Sequence, residues 1–259
     1  MPKSRRHNDT QSVVAVLVLV VLVLIVRCWW VANVAYSPVA PRRPLSRGVT
    51  YVTHMSWARR RNLERILQVW RADDGPGPVV VVFFASSFND TEAIVRYIDD
   101  ELHRPQQLVY TIYSNPSDDL RLYPINVLRN IGLGHVKTEL CVLADGDMIP
   151  NKKLYEDVIS SKYPSFVADV QHTAFVLPIF HLAQSEETGQ IPPVPGEKSA
   201  LLSALDRGEV KVTLDHPRRP HHFLTDYNRW KSDTRDYNIR YRFWYEPYLL
   251  MSPRYMPFF

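Results

Sequence analysis

The feature that most constrains the fold is a regular alternation of apolar runs and amphipathic segments between residues 50 and 161. An alternating segment predicts a strand at Thr50–His54, and apolar runs predict strands at Val79–Phe84, Leu108–Tyr113 and Leu140–Ala144. The segments that follow them predict helices at Ser56–Arg71, Asp90–Leu102, Pro124–Leu133 and Lys153–Ser161. The second and fourth strands are continuously apolar, as strands buried on both faces are. This alternation predicts an α/β fold with a mixed, mostly parallel sheet and helices on both faces.

After residue 163 the alternation loosens. One strand is predicted at Thr173–Phe180 and a short helix at Lys198–Asp206, and the remainder is rich in aromatic, basic and proline residues. We expect this region to form loops and edge strands over one end of the sheet, where ligands of such folds usually bind. The chain is 46% apolar and carries a formal charge of +4, with its basic residues dispersed among 27 acids. This composition supports a packed core and does not indicate nucleic-acid binding.

The N-terminus carries a membrane or targeting signal. Val13–Val26 is an unbroken apolar run, preceded by three basic residues and followed by Arg27, Trp29 and Trp30. As a helix the run spans about 21 Å, and a short extension reaches the ~30 Å of a hydrocarbon core if Arg27 extends to the headgroups. We therefore predict a signal-anchor helix at residues 13–32. A cleaved signal peptide is the alternative, although small residues are poorly placed for cleavage, and a buried helix is a third reading.

The anchor divides the chain into four predicted regions. These are a cytoplasmic tail at residues 1–12, the anchor at 13–32, a stem at 33–48 and a folded domain at 49–259. Basic residues are similar in number on the two sides of the anchor, so charge alone does not set its orientation. The two cysteines, Cys28 and Cys141, provide no intramolecular disulfide framework. Asn89-Asp90-Thr91 is a glycosylation sequon if the domain is luminal.

Two carboxylates follow the fourth predicted strand. Leu140–Ala144 leads directly into Asp145-Gly146-Asp147, and the sequence then returns at once to apolar residues. Carboxylates after a buried strand emerge at the carboxyl edge of a parallel sheet, and Mn²⁺ and Mg²⁺ take such oxygen ligands, often together with substrate phosphates. The sequence therefore predicts a divalent metal site at Asp145 and Asp147, with Gly146 allowing a diphosphate or sugar close to the backbone. A simple polar turn is the alternative reading.

A second group of polar residues lies on the helix predicted to begin at Pro124, a residue that suits a first helical turn. Asn126, Arg129 and Asn130 are spaced i, i+3 and i+4, and so share one face. We predict that they bind ribose, phosphate or sugar groups, because a guanidinium offers a planar fork to phosphate or carboxylate. A solvated polar face, opposite the apolar residues of the same helix, is an equally open alternative.

These two segments resemble a known family. Tyr123–Asn130 followed by Asp145–Pro150 is similar to the Y-P-x-N-x-L-R-N and D-x-D-[MF]-x-P patterns of glycosyltransferase family 49, which includes LARGE-type and β-1,4-glucuronyltransferases. Further segments that resemble the family are Val52-Thr53, Ala174–Phe180, His222–Trp230 and Tyr245–Tyr248. Leu224 departs from the family pattern, which usually has proline there. The family also continues beyond the position of Phe259 with a stretch that carries a metal-ligating histidine, so we expect part of the ligand set, and of the activity, to need that stretch.

The resemblance implies a GT-A fold, a UDP-sugar donor, Mn²⁺ (or Mg²⁺) as cofactor, a glycan or glycoprotein acceptor, and inversion at the anomeric carbon. It also implies a type II protein of the Golgi membrane with a luminal catalytic domain. Among donors it favours glucuronic acid, with β-1,3 transfer of N-acetylglucosamine as the alternative. By the same resemblance Asp147 ligates the metal directly, whereas Asp145 faces the ribose and reaches the metal through water.

An inverting transfer needs a base, and the resemblance directs attention to the C-terminal segments. Glu246 is the predicted base, since burial among its aromatic neighbours would raise its pKa; a structural carboxylate paired with Arg240 or Arg242 is the alternative. His222, Thr225 and Asp226 are predicted to contact the donor sugar or the acceptor. Three histidines among arginines at residues 216–222 fit no zinc pattern and indicate a solvated basic loop.

Two other functions compete with that of a transferase. The first is a catalytically inactive, membrane-anchored binding protein that keeps the transferase scaffold, which Mn²⁺-dependent UDP binding would argue against. The second is a soluble nucleotidyltransferase, which also uses paired acids at strand ends. The predicted anchor and the lack of a glycine-rich phosphate loop disfavour the nucleotidyltransferase.

Overall fold

The structure is a computed structural model that describes residues 45–114, 123–160, 163–170, 173–183, 193–212, 224–233, 237–240, 242 and 245–255. The predicted tail and anchor, most of the predicted stem and His222 lie outside these ranges. Within them, no helix is both long and apolar enough to cross a membrane. The anchor therefore stays a prediction.

The strands are β1 (Ser46–Ser56), β2 (Arg71–Ala72), β3 (Gly75–Pro76), β4 (Val79–Phe84), β5 (Leu108–Tyr113), β6 (Thr138–Asp145), β7 (Phe175–Leu177), β8 (Phe180–Leu182), β9 (Val210–Val212) and β10 (Tyr248–Met251). The helices are α1 (Arg61–Val69), α2 (Phe88–Arg96), α3 (Ile125–Gly134), α4 (Lys152–Ile159), α5 (Tyr163–Asp169), α6 (Lys198–Asp206) and α7 (Tyr227–Ser232). β1 begins inside the predicted stem, where Ser46 pairs with Thr138 of β6.

Six of the described strands form one sheet in the order β5-β4-β1-β6-β10-β7. β5, β4, β1 and β6 pair in parallel, whereas β10 runs antiparallel to both β6 and β7. The predicted mixed, mostly parallel sheet is therefore confirmed. The sheet order places β1 beside β6, so the ends of these two strands meet at one edge.

The C-terminal part of the sheet differs from the prediction in two ways. The strand predicted at Thr173–Phe180 is two strands in different sheets, because β7 pairs with β10 while β8 pairs with β9. Pro178 lies between them, and a proline has no amide hydrogen to continue a ladder. β10, in the region expected to hold only loops and edge strands, instead lies inside the sheet between β6 and β7.

The bounds of α1 and α2 differ from the prediction. A 3-10 turn at Trp57–Arg59 separates β1 from α1, so the helix expected from Ser56 begins later. α2 begins earlier than expected because Ser87 caps it, its hydroxyl oxygen accepting the Asp90 amide at 3.1 Å. A π-helical turn follows α2 at Tyr97–Glu101.

Helices cover both faces of the sheet, as predicted. Every residue of β4 is buried, and successive residues of a strand face opposite sides. Phe83 joins the buried cluster that contains Ile66 of α1 and Ile94 of α2. Val82 joins a different cluster with Leu128 of α3. The apolar run that predicted a strand buried on both faces is thus explained by these two layers.

The close contact of α3 with β1 gives a prediction on stability. A Cβ added at Gly132 would lie 2.8 Å from Val52 Cγ1, whereas one at Gly134 in the same helix would meet nothing within 4 Å. Replacing glycine by alanine in a helix ordinarily stabilises by ~0.5–1 kcal/mol. We expect Gly132→Ala to lower the free energy of unfolding by about 1–3 kcal/mol through overpacking, and Gly134→Ala not to lower it. Chemical denaturation measures both, and equal effects would contradict this packing.

Candidate functional site

The site is built at the carboxyl edge shared by β1 and β6. These parallel neighbours end in register, with His54 of β1 opposite Asp145 of β6. Beyond β6 the chain turns, as the Met148 amide donates to the Asp145 carbonyl at 3.0 Å. The sheet order therefore brings the end of β1 and the predicted metal-binding tripeptide to the same place.

Three side chains from three other elements hold Asp145. Arg129 of α3 donates to Oδ1 at 3.0 Å, and the Tyr248 hydroxyl of β10 donates to Oδ2 at 2.8 Å. His54 Nε2 of β1 also lies close, 3.1 Å from Oδ1. Asp145 is thus a fixed carboxylate at the junction of β1, β6, β10 and α3.

Electrostatics keep this carboxylate ionised. Burial disfavours its charged form, but the contacts with His54 and Tyr248 and the positive charge of Arg129 hold the pKa of Asp145 well below its usual range. Burial and the Asp145 charge raise the pKa of the Tyr248 hydroxyl, which therefore remains a proton donor to the carboxylate. The Arg129 side chain is 24% exposed, and its guanidinium serves as the main countercharge.

Tyr123 connects the segment before α3 to the same site. Its hydroxyl lies 2.9 Å from His54 Nδ1, and its ring meets Phe84 edge to face with centroids 5.4 Å apart. Through His54, the two segments that carry the family resemblance are therefore in contact in the fold.

Gly146 is required by packing on β1. A Cβ at this residue would lie 2.5 Å from the His54 carbonyl oxygen and 2.7 Å from Met55 Cβ. The Gly146 carbonyl also accepts a hydrogen bond from Asn62 Nδ2 of α1 at 2.9 Å. The close approach that the sequence predicted for a ligand is thus made by the protein's own backbone at the end of β1.

Asp147 differs from Asp145 in its exposure. Its side chain is 44% exposed and forms an ion pair with Arg59, whose Nη1 lies 2.5 Å from Oδ2. Arg59 is itself 53% exposed, and ion pairs between exposed groups contribute only ~0.2–1 kcal/mol. Asp147 is therefore a solvent-accessible carboxylate at the edge of the sheet.

The predicted polar face of α3 is only partly directed to the site. Arg129 contacts Asp145, so for this residue the reading as a solvated face is wrong. Asn126 is exposed and Asn130 half-buried, and their predicted roles in ligand binding stay predictions. The helix begins at Ile125, with Pro124 as its N-cap and not its first residue.

Thr225 and Asp226 make contacts within the described part of the C-terminal region. Thr225 is buried, and its hydroxyl lies 2.9 Å from the Tyr245 hydroxyl. Asp226 caps α7 by accepting the Arg229 amide at 2.9 Å. These contacts are structural. The predicted contact of either residue with the donor sugar or the acceptor stays a prediction.

Glu246 is exposed, so the expectation that aromatic neighbours bury it is wrong. Two of its aromatic neighbours face inward instead: Tyr245 is buried against Thr225, and Tyr248 reaches Asp145. The alternative role of Glu246, as a structural carboxylate paired with Arg240 or Arg242, stays a prediction. Tyr248 ties the short segment that carries Glu246 to the Asp145-Gly146-Asp147 turn.

Sequence reasoning missed His54, Arg59 and the role of Tyr248. Tyr248 lies in a segment that resembles the family, which was the available signal for it. His54 lies near the end of β1 and Arg59 in the turn that follows it, and the pairing of β1 with β6 brings them to the two aspartates.

Asp145 and Asp147 are the residues here that could hold a divalent cation. The described ranges contain no group of three or more His, Cys, Asp or Glu side chains that could hold a metal ion. Hard divalent cations are commonly bound through one or two carboxylates, with substrate phosphates and water as further ligands. The accessible carboxylate of Asp147 beside the fixed Asp145 fits such a cation.

Comparison with known proteins places the chain among glycosyltransferases. Residues 102–259 match the protein-family model described as "Glycosyl-transferase for dystroglycan". The xylosyl- and glucuronyltransferase LARGE2 of Mus musculus is 27% identical over 232 residues, covering 88% of this chain and 32% of that protein. LARGE1 of Homo sapiens is 26% identical over 219 residues, covering 83% and 26%. The chain thus spans about a third of the length of these relatives, or less.

Among solved structures, the mannosyltransferase PcManGT from Pyrobaculum calidifontis in complex with GDP-Man and Mn2+ is 23% identical, covering 50% of this chain and 36% of that chain. Its TM-score of 0.29 is too low for the likeness to carry any argument about the site. The family model, in contrast, covers more than half of the chain. The chain therefore belongs to this glycosyltransferase family, family 49, as its motifs predicted.

Proposed function

We propose that the chain forms a GT-A catalytic domain that transfers a sugar from a UDP-sugar donor to a glycan acceptor on a glycoprotein, with inversion at the anomeric carbon. The observation that carries this proposal is the pair of unequal carboxylates at the carboxyl edge of the sheet. Asp145 is fixed by Arg129 and Tyr248, whereas Asp147 is accessible to solvent. Ligands of open α/β sheets bind at this edge.

The two aspartates have different proposed tasks. Asp147 would ligate Mn²⁺ or Mg²⁺ directly, and Asp145 would face the ribose and reach the cation through water. A bound cation would neutralise the charge that develops on the departing diphosphate. Arg129, which is paired with Asp145, balances the negative charge of that carboxylate. Together with Asn126 and Asn130, it would line the side of the site that binds the donor.

Glu246 is the proposed base. It would accept the proton of the acceptor hydroxyl as that oxygen bonds to the anomeric carbon and the bond from this carbon to the diphosphate breaks. Its exposure leaves it accessible to a large glycan acceptor. The hydrogen bond from Tyr248 to Asp145 holds the Glu246 segment against the donor edge, which supports this role. His222, Thr225 and Asp226 would contribute to the sugar or acceptor side.

The proposed donor sugar is glucuronic acid, with N-acetylglucosamine as the alternative. Relatives whose names include glucuronyltransferase support the first choice. A uronic acid adds a carboxylate, which an arginine recognises through a bidentate pair. The reaction with the two donors distinguishes these choices.

The test is a transfer assay on purified protein that includes the family's C-terminal stretch, with UDP-glucuronic acid, UDP-N-acetylglucosamine and UDP-xylose as donors, following UDP release and product formation. We expect turnover with UDP-glucuronic acid that requires Mn²⁺ and stops on chelation. Glu246→Gln should lose transfer while retaining Mn²⁺-dependent UDP binding, since the change removes the base but keeps the shape of the side chain. A folded wild-type protein that binds no UDP with Mn²⁺ would instead support the inactive scaffold.

We further propose that residues 13–32 anchor the protein in the Golgi membrane with the domain luminal. In animal cells the protein should stay in the membrane fraction on carbonate extraction, with its domain protected from protease in sealed vesicles. The apolar run Val13–Val26 motivates this expectation. Recovery of a secreted mature form beginning near Val34 or Tyr36 would contradict it.

A further inference from the structure

Arg59 is an arginine at the predicted metal site that the proposed function leaves without a role. It ends the turn at Trp57–Arg59 directly after β1, and its Nη1 lies 2.5 Å from Asp147 Oδ2. Its guanidinium therefore lies against the carboxylate that the proposed function gives to a divalent cation. A guanidinium and a cation would compete for the same oxygen atoms.

The ion pair between Arg59 and Asp147 can be broken more easily than the other arginine–aspartate pair of the site, that of Arg129 with Asp145. Both of its side chains are about half exposed, at 53% and 44%. Arg129 is only 24% exposed, and its partner Asp145 is also held by Tyr248. Exposed ion pairs are weak because water and salt screen them, whereas part-buried and shared pairs are retained.

Contacts of the neighbouring residues hold the backbone around Arg59, so its side chain can rotate while its Cα stays in place. Asn62 donates to the Gly146 carbonyl at 2.9 Å and joins the start of α1 to the tripeptide turn. The Arg60 guanidinium stacks 4.1 Å from the centroid of the Trp57 ring, and the Arg60 carbonyl accepts the Tyr97 hydroxyl at 3.0 Å. A released Arg59 would therefore stay within one side-chain length of the site.

We propose that Arg59 is an exchangeable counter-ion: a divalent cation displaces its guanidinium from Asp147, and the released guanidinium binds the diphosphate of the incoming nucleotide sugar. This inference rests on the proposed function. Its ligand class is a nucleoside diphosphate, since the guanidinium fork matches phosphate oxygens and remains charged at every relevant pH. Arg59 thus holds Asp147 while the site is empty and contacts the donor once the cation is bound.

The test measures two affinities in the full-length protein, that for Mn²⁺ alone and that for UDP at saturating Mn²⁺. Arg59→Ala should bind Mn²⁺ alone about 2- to 5-fold more tightly, because a weak competing ion pair is removed. It should bind UDP about 10-fold or more weakly, because a charge-assisted contact is lost. Arg59→Lys keeps the charge without the fork, and should leave Mn²⁺ affinity near wild type with a smaller loss of UDP affinity.

Arg61→Ala is the matched control, since Arg61 is exposed two residues further on and its loss changes the net charge equally. Its two affinities should stay within about twofold of wild type. Opposite shifts for Arg59→Ala and none for Arg61→Ala support the exchange. Shifts in the same direction, an unchanged UDP affinity, or equal effects of the two variants overturn it. If the wild-type protein itself shows no Mn²⁺-dependent UDP binding, the proposed function fails, and the exchange fails with it.

Discussion

Asp147→Ala is expected to weaken Mn²⁺-dependent UDP binding by more than ~100-fold, because loss of a direct ligand should exceed the ~10- to 100-fold cost of losing an outer partner. The same change should alter the free energy of unfolding by less than about 0.5 kcal/mol. Asp147 is 44% exposed, and its ion pair with Arg59 contributes little. The substitution therefore removes a ligand without removing core volume.

Calorimetric titration of UDP in the presence of Mn²⁺, together with thermal unfolding, measures both effects. Asp157→Ala, which removes an exposed carboxylate from α4, is the control for the loss of one negative charge, and it should bind UDP as the wild type does. Unchanged UDP affinity in Asp147→Ala would show that the cation is held elsewhere.

The second large effect is expected at Asp145, and it is of a different kind. We expect Asp145→Ala to lower the free energy of unfolding by about 2–3 kcal/mol, less than the 3–5 kcal/mol typical of a fully buried pair because both partners are partly exposed. The change removes the carboxylate that pairs with Arg129, whose side chain is 24% exposed, and that accepts a hydrogen bond from the Tyr248 hydroxyl. In a domain of this size the melting temperature should fall by roughly 5–10 °C.

The pH dependence of the unfolding free energy provides the control for this prediction. The pKa of Asp145 is lowered in the fold, so its carboxylate stabilises the protein above its unfolded pKa of about 3.9, and this stabilisation is lost as the pH falls below that value. The difference in unfolding free energy between wild type and Asp145→Asn should therefore have its maximum value near pH 6 and become smaller toward pH 3. A difference that is independent of pH, or a variant as stable as Asp147→Ala, would contradict the network around Asp145.

The central strands and the two aspartates could be predicted because their signals are local. The continuous apolar runs of β4 and β6 require burial on both faces, and the clusters around Phe83 and Val82 show both layers. Asp145 and Asp147 follow β6 directly, so identifying that strand was enough to locate them at the edge of the sheet.

The partners of these aspartates could not be predicted, because they depend on contacts distant in sequence. Tyr248 reaches Asp145 across 103 positions, and does so because β10 enters the sheet beside β6. β10 has only four residues in an aromatic-rich segment, which offers little periodicity to detect. The burial of Glu246 was wrongly predicted for a related reason, since the same aromatic neighbours pack against Thr225 and Asp145 instead.

The most direct test of the metal and donor site is a crystal structure of the protein with Mn²⁺ and UDP, with the metal located by its anomalous scattering. We predict an Mn²⁺ ion bound by Asp147 and the UDP diphosphate at the carboxyl edge of β1 and β6, with Asp145 still bound to Arg129 and Tyr248. An Mn²⁺ ion or a UDP molecule bound away from Asp147, or Asp147 still paired with Arg59 in the presence of both ligands, would contradict the proposed site.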